Sequence, residues 1–185
     1  MLIASKLIPS GKGLGPALVR RAPHVELDWD TRQKSRFEAT DSTAARFGVF
    51  LPRGQIVRGG DVLLRDDGTL VAVRARPQPV LVVTPGPGGS PHDLIRAAYH
   101  LGNRHVPLEV RADRLQLEPD HVLAEMLRRM GLTVEAADAA FEPEAGAYGA
   151  QAAHGHDHDH DHGHDRGHKH EHGDHAGYSH AHSHE

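Results

Sequence analysis

Residues 97–108 read AAYHLGNRHVPL, a run that predicts the end of a helix, a turn and the start of a strand. Gly102 and Asn103 are the pair expected just past a helix C terminus, where one residue takes a positive φ. His105 therefore lies on a short connector into the strand Val106–Val110, where side chains are free of helix packing. The apolar residues before the turn recur at helical spacing and are expected to face a core: Leu94, Ile95, Ala98 and Leu101.

One histidine lies on each side of this turn. Taken alone, His100 is an ordinary residue on a helix face and His105 an ordinary residue in a solvated turn. The wider sequence changes that balance, because the segment His154–Glu185 holds 13 of the 18 histidines. A connector histidine in a chain with such a segment is a better candidate for a metal ligand.

The C-terminal tail, residues 149–185, has little apolar content, and its segment His154–His164 alternates histidine with aspartate or glycine. Such a composition cannot bury a core, so the tail is predicted to be disordered without metal. Neutral imidazole suits nickel, copper and zinc, and the interleaved carboxylates raise the local cation concentration. The predicted tail ligands are His154, His156, His158, His160, His162, His164, His168, His170, His172, His175, His180, His182 and His184.

The composition limits the chemistry of any metal site. The chain has no cysteine, so its metal ligands must be imidazole, carboxylate or backbone oxygen, and thiolate sites are excluded. The net charge of −4 is uneven: the segment from His154 onward carries −5 and the preceding body +1. The body thus offers no electrostatic footprint for nucleic acid. No apolar run is long enough for a signal peptide or a membrane span, so a cytoplasmic location is expected.

The second half of the chain contains signals for a strand, a helix, two strands, a helix and a strand, in that order. That order fits a ferredoxin-like βαββαβ sandwich with both helices on one face of the sheet. The first helix is predicted to begin at Ser90, with Asp93 completing a capping box. The second is predicted to begin at Asp120, end at Gly131 and bury these apolar residues: Val122, Leu123, Met126, Leu127 and Met130. The predicted strands are Val80–Val83, Val106–Val110, Arg114–Leu117 and Leu132–Glu135.

The first half of the chain is predicted to be an all-β unit of about six strands. Its clearest signal is a hairpin turn at Asp66-Asp67-Gly68. The alternation of apolar and acidic residues from Val25 to Trp29 predicts a half-buried strand. Residues 1–23 are predicted to form a short strand and a mobile loop, and the stretch Thr31–Thr40 is basic. Apolar runs at Phe47–Leu51 and Gln55–Val57 flank a turn.

The segment Pro77-Gln78-Pro79 is predicted to be a linker, because it has no capacity for helix and the pattern changes on both sides. The chain is thus interpreted as α+β with three parts. Residues 1–77 form the all-β domain, residues 78–148 the ferredoxin-like domain, and residues 149–185 the tail.

The stretch YHLGNRHVPL at residues 99–108 resembles the central motif of the UreE-type urease accessory proteins, which are nickel chaperones for urease. Three further stretches resemble the same family, in the same order: LPRG at 51–54 with GDVL at 60–63, DHVLAEML at 120–127, and FEPEAGAY at 141–148. Any one stretch is weak evidence, but four in sequence order are specific. The resemblance covers residues 46–148.

This resemblance implies a homodimer in which His105 from each subunit bridges one Ni²⁺ ion. One imidazole cannot hold a divalent ion against water, but an isologous dimer supplies a second imidazole. His100 matches a second histidine of the motif and is assigned a packing role in preference to ligation. His121 is the other weaker candidate, because relatives carry His-x-His where this chain reads Pro119-Asp120-His121. Tail histidines are expected to reach the dimer site, since about 15 flexible residues span roughly 20 Å.

Three functions are compatible with these features. The first is a nickel metallochaperone that donates Ni²⁺ to apo-urease through a complex containing an accessory GTPase. The second is a buffer for divalent metals that delivers nothing, and the third is a peptide-binding module, since the family's N-terminal domain resembles part of a heat-shock co-chaperone. The ordered motif match favours the first. Zinc or copper is expected to substitute for nickel, and no group of residues suggests an enzyme.

Overall fold

Two β-sheets follow one another along the chain, and the computed structural model describes them over residues 2–145. The first sheet has six strands in the order β2-β6-β5-β1-β4-β3, which confirms the predicted strand-rich first half. Strand β1 is central, parallel to β4 and antiparallel to β5. The strands are β1 (Leu2–Ile8), β2 (His24–Leu27), β3 (Arg36–Thr40), β4 (Arg46–Phe50), β5 (Val62–Arg65) and β6 (Leu70–Ala75).

The second sheet has four strands in the order β10-β7-β9-β8, and every neighbouring pair is antiparallel. This is the predicted βαββαβ arrangement, so the α+β class is confirmed. The elements are β7 (Gln78–Pro85), α3 (Pro91–Gly102), β8 (Glu109–Val110), β9 (Leu115–Leu117), α4 (His121–Arg129) and β10 (Leu132–Ala139). No helix of residues 2–145 is long and apolar enough to cross a bilayer.

Both long helices begin where local chemistry predicts. Ser90 and Asp93 form the capping box of α3, with side chain and backbone bonded reciprocally. The Asp120 carboxylate caps α4 by accepting hydrogen bonds from the backbone N–H groups of Val122 and Leu123. Leu101 and Leu127 then bury the two helices against the sheet.

Two short helices replace predicted loop and strand in the first half. Helix α1 (Pro16–Arg21) occupies part of the predicted mobile loop, with proline in its first turn and two arginines in its last. Helix α2 (Trp29–Arg32) ends the predicted strand early, because the Asp28 carboxylate accepts a hydrogen bond from the Thr31 N–H at 2.9 Å and caps a helix there. The run Gln55–Val57 is irregular and forms no strand.

The predicted linker is wrong at Gln78 and Pro79, since both belong to strand β7. Proline is tolerated there because β7 at this point pairs only with β10, and β9 begins to pair at Leu81. The Gln78 side chain also accepts a hydrogen bond from the Trp29 backbone N–H at 2.8 Å. Residues of both sheets therefore belong to one compact unit.

Candidate metal centre

Helix α3 ends in a Schellman motif that has a histidine at its left-handed position. The Val106 N–H donates to the Leu101 carbonyl at 3.3 Å, and the His105 N–H donates to the Gly102 carbonyl at 2.9 Å. These two bonds define the motif and assign its left-handed residue to His105, whose φ is 56°. The prediction that Gly102 or Asn103 takes the positive φ is therefore wrong.

The left-handed backbone of His105 costs free energy that the surroundings of its side chain do not offset. A left-handed conformation costs an L-residue about 1 kcal/mol relative to glycine, which is the usual residue at this position. The His105 side chain is exposed to solvent, so burial does not offset that cost. Strained residues with exposed polar side chains concentrate at functional sites. The geometry thus singles out His105 as a functional candidate.

The other predicted histidines lie in different surroundings. His100 is half-buried on α3, and its ring meets the Tyr99 ring edge-on with centroids 5.4 Å apart. The packing role assigned to His100 stays a prediction. His121 is the first residue of α4 and is exposed. The 13 predicted tail ligands, the predicted disorder of the tail and its boundary at residue 148 lie outside the described residues. Within residues 2–145, no three His, Cys, Asp or Glu side chains come together in a way that would hold a metal ion.

An open groove of about 440 Å³ lies beside His105 and is mainly apolar. Its walls come from helix α2, the C-terminal half of α3, the connector into β8, and the chain after β10. The groove residues are Trp29, Ala98, Gly102, His105, Val106, Pro107, Leu108, Val110, Pro143, Glu144 and Ala145. His105 thus lines a mainly apolar groove that is open to solvent.

Helix α3 carries a second apolar stripe on its solvent side. Ile95 and Tyr99, one turn apart, are 65% and 66% exposed. Gly102 lies three residues after Tyr99, on the same side of the helix towards His105. The prediction that Ile95 faces the core is wrong, because Leu94, Ala97 and Leu101 fill the buried face instead. Exposed apolar residues grouped in this way are typical of an interaction surface.

The segment after β10 contributes residues that the sequence interpretation missed. The Glu144 N–H donates to the Leu108 carbonyl at 2.8 Å, which holds the segment against the connector that follows His105. Arg32, within the predicted basic stretch, is completely buried and bonded to Glu142. The stretch FEPEAGAY marked this segment by resemblance, but nothing local to Arg32 signalled its burial.

Comparison with known proteins agrees with this architecture. A family model described as UreE urease accessory protein, N-terminal domain, matches residues 4–76, and the corresponding C-terminal domain model matches residues 78–185. The urease accessory protein UreE of Methylibium petroleiphilum is 67% identical over 156 residues, covering 84% of this chain and 72% of that relative.

Two further relatives are similar over comparable lengths. UreE of Albidiferax ferrireducens is 66% identical over 149 residues, which cover 80% of this chain and 86% of the relative. UreE of Cupriavidus necator is 48% identical over 155 residues, which cover 84% of this chain and 79% of the relative. With both family models and these relatives in agreement, the chain belongs to the UreE family of urease accessory proteins and serves the maturation of urease.

Proposed function

We propose that this protein is a nickel metallochaperone that works as a homodimer. In the proposed arrangement, His105 from each subunit binds one Ni²⁺ ion at the two-fold axis, and the tail histidines add further ligands. The protein then donates the ion to apo-urease through the accessory GTPase complex. The observation that carries the proposal is the exposed His105, held at a positive φ of 56° beside an apolar surface.

A second copy of the chain is the simplest source of a second fixed ligand. Nickel sites need several donors, and His105 supplies one. An isologous interface places the same residue of each subunit on opposite sides of the axis, so a residue close to the axis is doubled. The exposed Ile95 and Tyr99 lie on the same helix as the turn that carries His105. Burying them between two copies would favour association through the hydrophobic effect.

The tail adds capacity to this centre. Its 13 histidines are more ligands than one ion requires, so we expect several ions per dimer besides the one at the axis. Imidazole accepts nickel, zinc and copper, and binding strength follows the Irving–Williams order. Zinc or copper should therefore substitute in vitro, while nickel is the proposed cargo for urease.

A metal buffer without a delivery role is the alternative, and the capacity of the tail favours it. The two functions differ in whether a fixed site is needed. A preorganised pair of ligands on a folded scaffold presents an ion to a partner in one orientation. Because the proposed partner is a GTP-dependent complex, we place the protein in the cytoplasm, and we assign it no enzymatic activity of its own.

Nickel titration with the mass measured in solution tests the proposal. We expect a metal-free dimer and a first ion per dimer that is lost in His105→Ala. His121→Ala is the matched control, since His121 is also an exposed histidine in the same half of the chain, and it should keep that ion. A stable monomer at micromolar concentration, with and without nickel, would contradict the proposal.

A further inference from the structure

We infer that Glu144 is a further nickel ligand and that its carboxylate binds the same ion as His105. In the proposed dimer, the two subunits then supply two imidazoles and two carboxylates to one ion. The inference rests on the proposed nickel site and deepens it by naming a ligand of a second chemical kind. It also gives a role to the stretch FEPEAGAY at residues 141–148, which the proposed function does not otherwise use.

The proposed site needs more donors than two copies of His105 supply. Two imidazoles give two nitrogen donors, whereas a nickel ion has about four to six donors in total. Further fixed donors therefore have to come from the face of the body that carries His105. Within residues 2–145 of one subunit, no three potential metal-binding side chains come together. A fixed site is thus most simply assembled from a pair of ligands in each of two subunits.

The groove beside His105 contains a second side chain that can bind a metal ion. Among the groove residues, His105 and Glu144 alone are of the types that commonly bind metals, and the other side chains are aliphatic or, at Trp29, aromatic. An apolar surrounding strengthens the attraction between a carboxylate and a cation and limits the access of water. Each subunit therefore presents one imidazole and one carboxylate in the same groove.

The backbone holds Glu144 next to the connector that carries His105. The Glu144 N–H donates to the Leu108 carbonyl at 2.8 Å, and Leu108 lies three residues after His105. The preceding residues are anchored as well, since Phe141 is fully buried and Glu142 accepts a hydrogen bond from a buried arginine at 2.6 Å. The Glu144 side chain thus extends from a fixed backbone, as a preorganised ligand requires.

The Glu144 carboxylate is available to a metal ion, unlike two carboxylates nearby. Glu142 forms an ion pair with Arg32. Glu109 forms one with Arg111. Glu144 is exposed, and among the described residues its carboxylate takes part in no ion pair. Mixed nitrogen and oxygen donors suit Ni²⁺, and two carboxylates balance its charge.

The nickel affinity of a chain without tail ligands tests the inference. In the full-length chain, the 13 tail histidines are replaced by serine, so that the fixed ligands come from the folded body. Calorimetry then measures the affinity for the first ion per dimer, with Glu144 and with Glu144→Gln, which removes the charge and nearly keeps the shape. We expect Glu144→Gln to weaken the affinity at least about tenfold, because even the loss of a carboxylate that only supports a metal ligand typically costs about 10- to 100-fold.

Two more variants separate ligation from other effects. Glu144→His replaces the carboxylate by a neutral imidazole, which can still bind the ion, so it should recover most of the affinity that Glu144→Gln loses. Glu135→Gln is the matched control, because Glu135 is an exposed carboxylate on β10 outside the groove, and it should leave the affinity unchanged.

Three outcomes would overturn the inference: an unchanged affinity in Glu144→Gln, an equal loss in Glu144→His, or a comparable loss in Glu135→Gln. The second of these would assign the effect to charge in place of ligation. His105→Ala in the same chain distinguishes this failure from that of the proposed site. If His105→Ala keeps the first ion, the proposed nickel site itself fails.

Discussion

The backbone N–H of His105 donates to the carbonyl oxygen of Gly102 at 2.9 Å, and this bond closes helix α3 with a histidine in the left-handed position. Glycine normally occupies that position, because it alone has no Cβ to collide with the neighbouring carbonyl. The chain has glycine at Gly102, three residues earlier, where its conformational freedom is not used. The end of α3 is therefore less stable than it would be with glycine at position 105, which is the position of the proposed ligand.

Replacing His105 by glycine should stabilise the metal-free protein. Glycine relieves the left-handed strain, and we expect the free energy of unfolding to rise by about 0.5–1 kcal/mol. His105→Asn should give a smaller increase, since asparagine tolerates this conformation better than most residues. Urea unfolding of the metal-free proteins measures the effect. A lower free energy of unfolding for His105→Gly would mean that the histidine side chain stabilises the fold by contacts.

Removing the tail and replacing His105 should have different effects on nickel binding and on urease activation. Truncation after Tyr148 removes the 13 tail histidines and should abolish most of the bound nickel, leaving about one ion per dimer. His105→Ala should keep nearly full capacity but lose the fixed site. Activation of urease under limiting nickel should therefore suffer more from His105→Ala than from truncation. The comparison uses equal protein and equal nickel. If truncation abolishes activation while His105→Ala is harmless, the tail is the functional site.

A charge on the exposed stripe of α3 should prevent dimer formation. Ile95→Glu places a carboxylate, and its copy across the axis, in the proposed interface, where two like charges would be desolvated together. We expect sedimentation velocity to show a monomer at micromolar concentration. Val122→Glu is the matched control, because Val122 lies on α4 and its exposed fraction of 60% is close to the 65% of Ile95 on α3. Dissociation by Val122→Glu alone would move the interface to α4.

Nickel capacity should fall steeply between about pH 7 and pH 5. Imidazole must lose its proton before it can donate to a metal, and histidine ordinarily titrates near pH 6.5. Each ion bound near neutral pH should therefore release protons, which calorimetry in buffers of different ionisation enthalpy detects. Equal capacity at pH 5 and pH 7.5 would show that carboxylates are the main ligands.

The folded body should lose one electrostatic contribution in acid. Burial by itself raises the pKa of the Asp41 carboxyl. Hydrogen bonds from Thr43 and Ala45 and the charge of Arg65 together lower that pKa by more than burial raises it, so it lies below its ordinary value. A carboxyl with a lowered pKa stabilises the fold above its unfolded pKa of about 3.9. That stabilisation is lost as the pH falls through the folded value.

Asp41→Asn should therefore lower the free energy of unfolding at pH 7 and make less difference near pH 3. Urea unfolding at both pH values measures this, with Glu38→Gln as the control, since its surface ion pair contributes little. An equal loss at pH 3 and pH 7 would point to packing at Asp41 in place of charge.

Several features of this protein follow from local sequence because their causes are local. The capping box at Ser90, the cap at Asp120 and the hairpin turn around Gly68 each depend on residues within a few positions of one another. The order of the elements in the second half then leaves few ways to close a sheet, and the ferredoxin-like arrangement is the simplest of them. The four motif stretches in order were enough to predict the family, which the comparisons confirm.

Other features were decided only by the tertiary structure, because their causes are distant along the chain. Gln78 is part of a strand because β10 pairs with it, and Ile95 is exposed because Leu94 and Ala97 already fill the buried face. Arg32 is buried because Glu142, 110 residues later, supplies its acceptor. One feature with a local cause was also not predicted: the two hydrogen bonds that end α3 place the left-handed residue at His105, although Gly102 has the better intrinsic preference for that conformation. The intrinsic preference of a single residue for one backbone conformation is worth about 1 kcal/mol. Packing and hydrogen bonding across the fold together outweigh that preference.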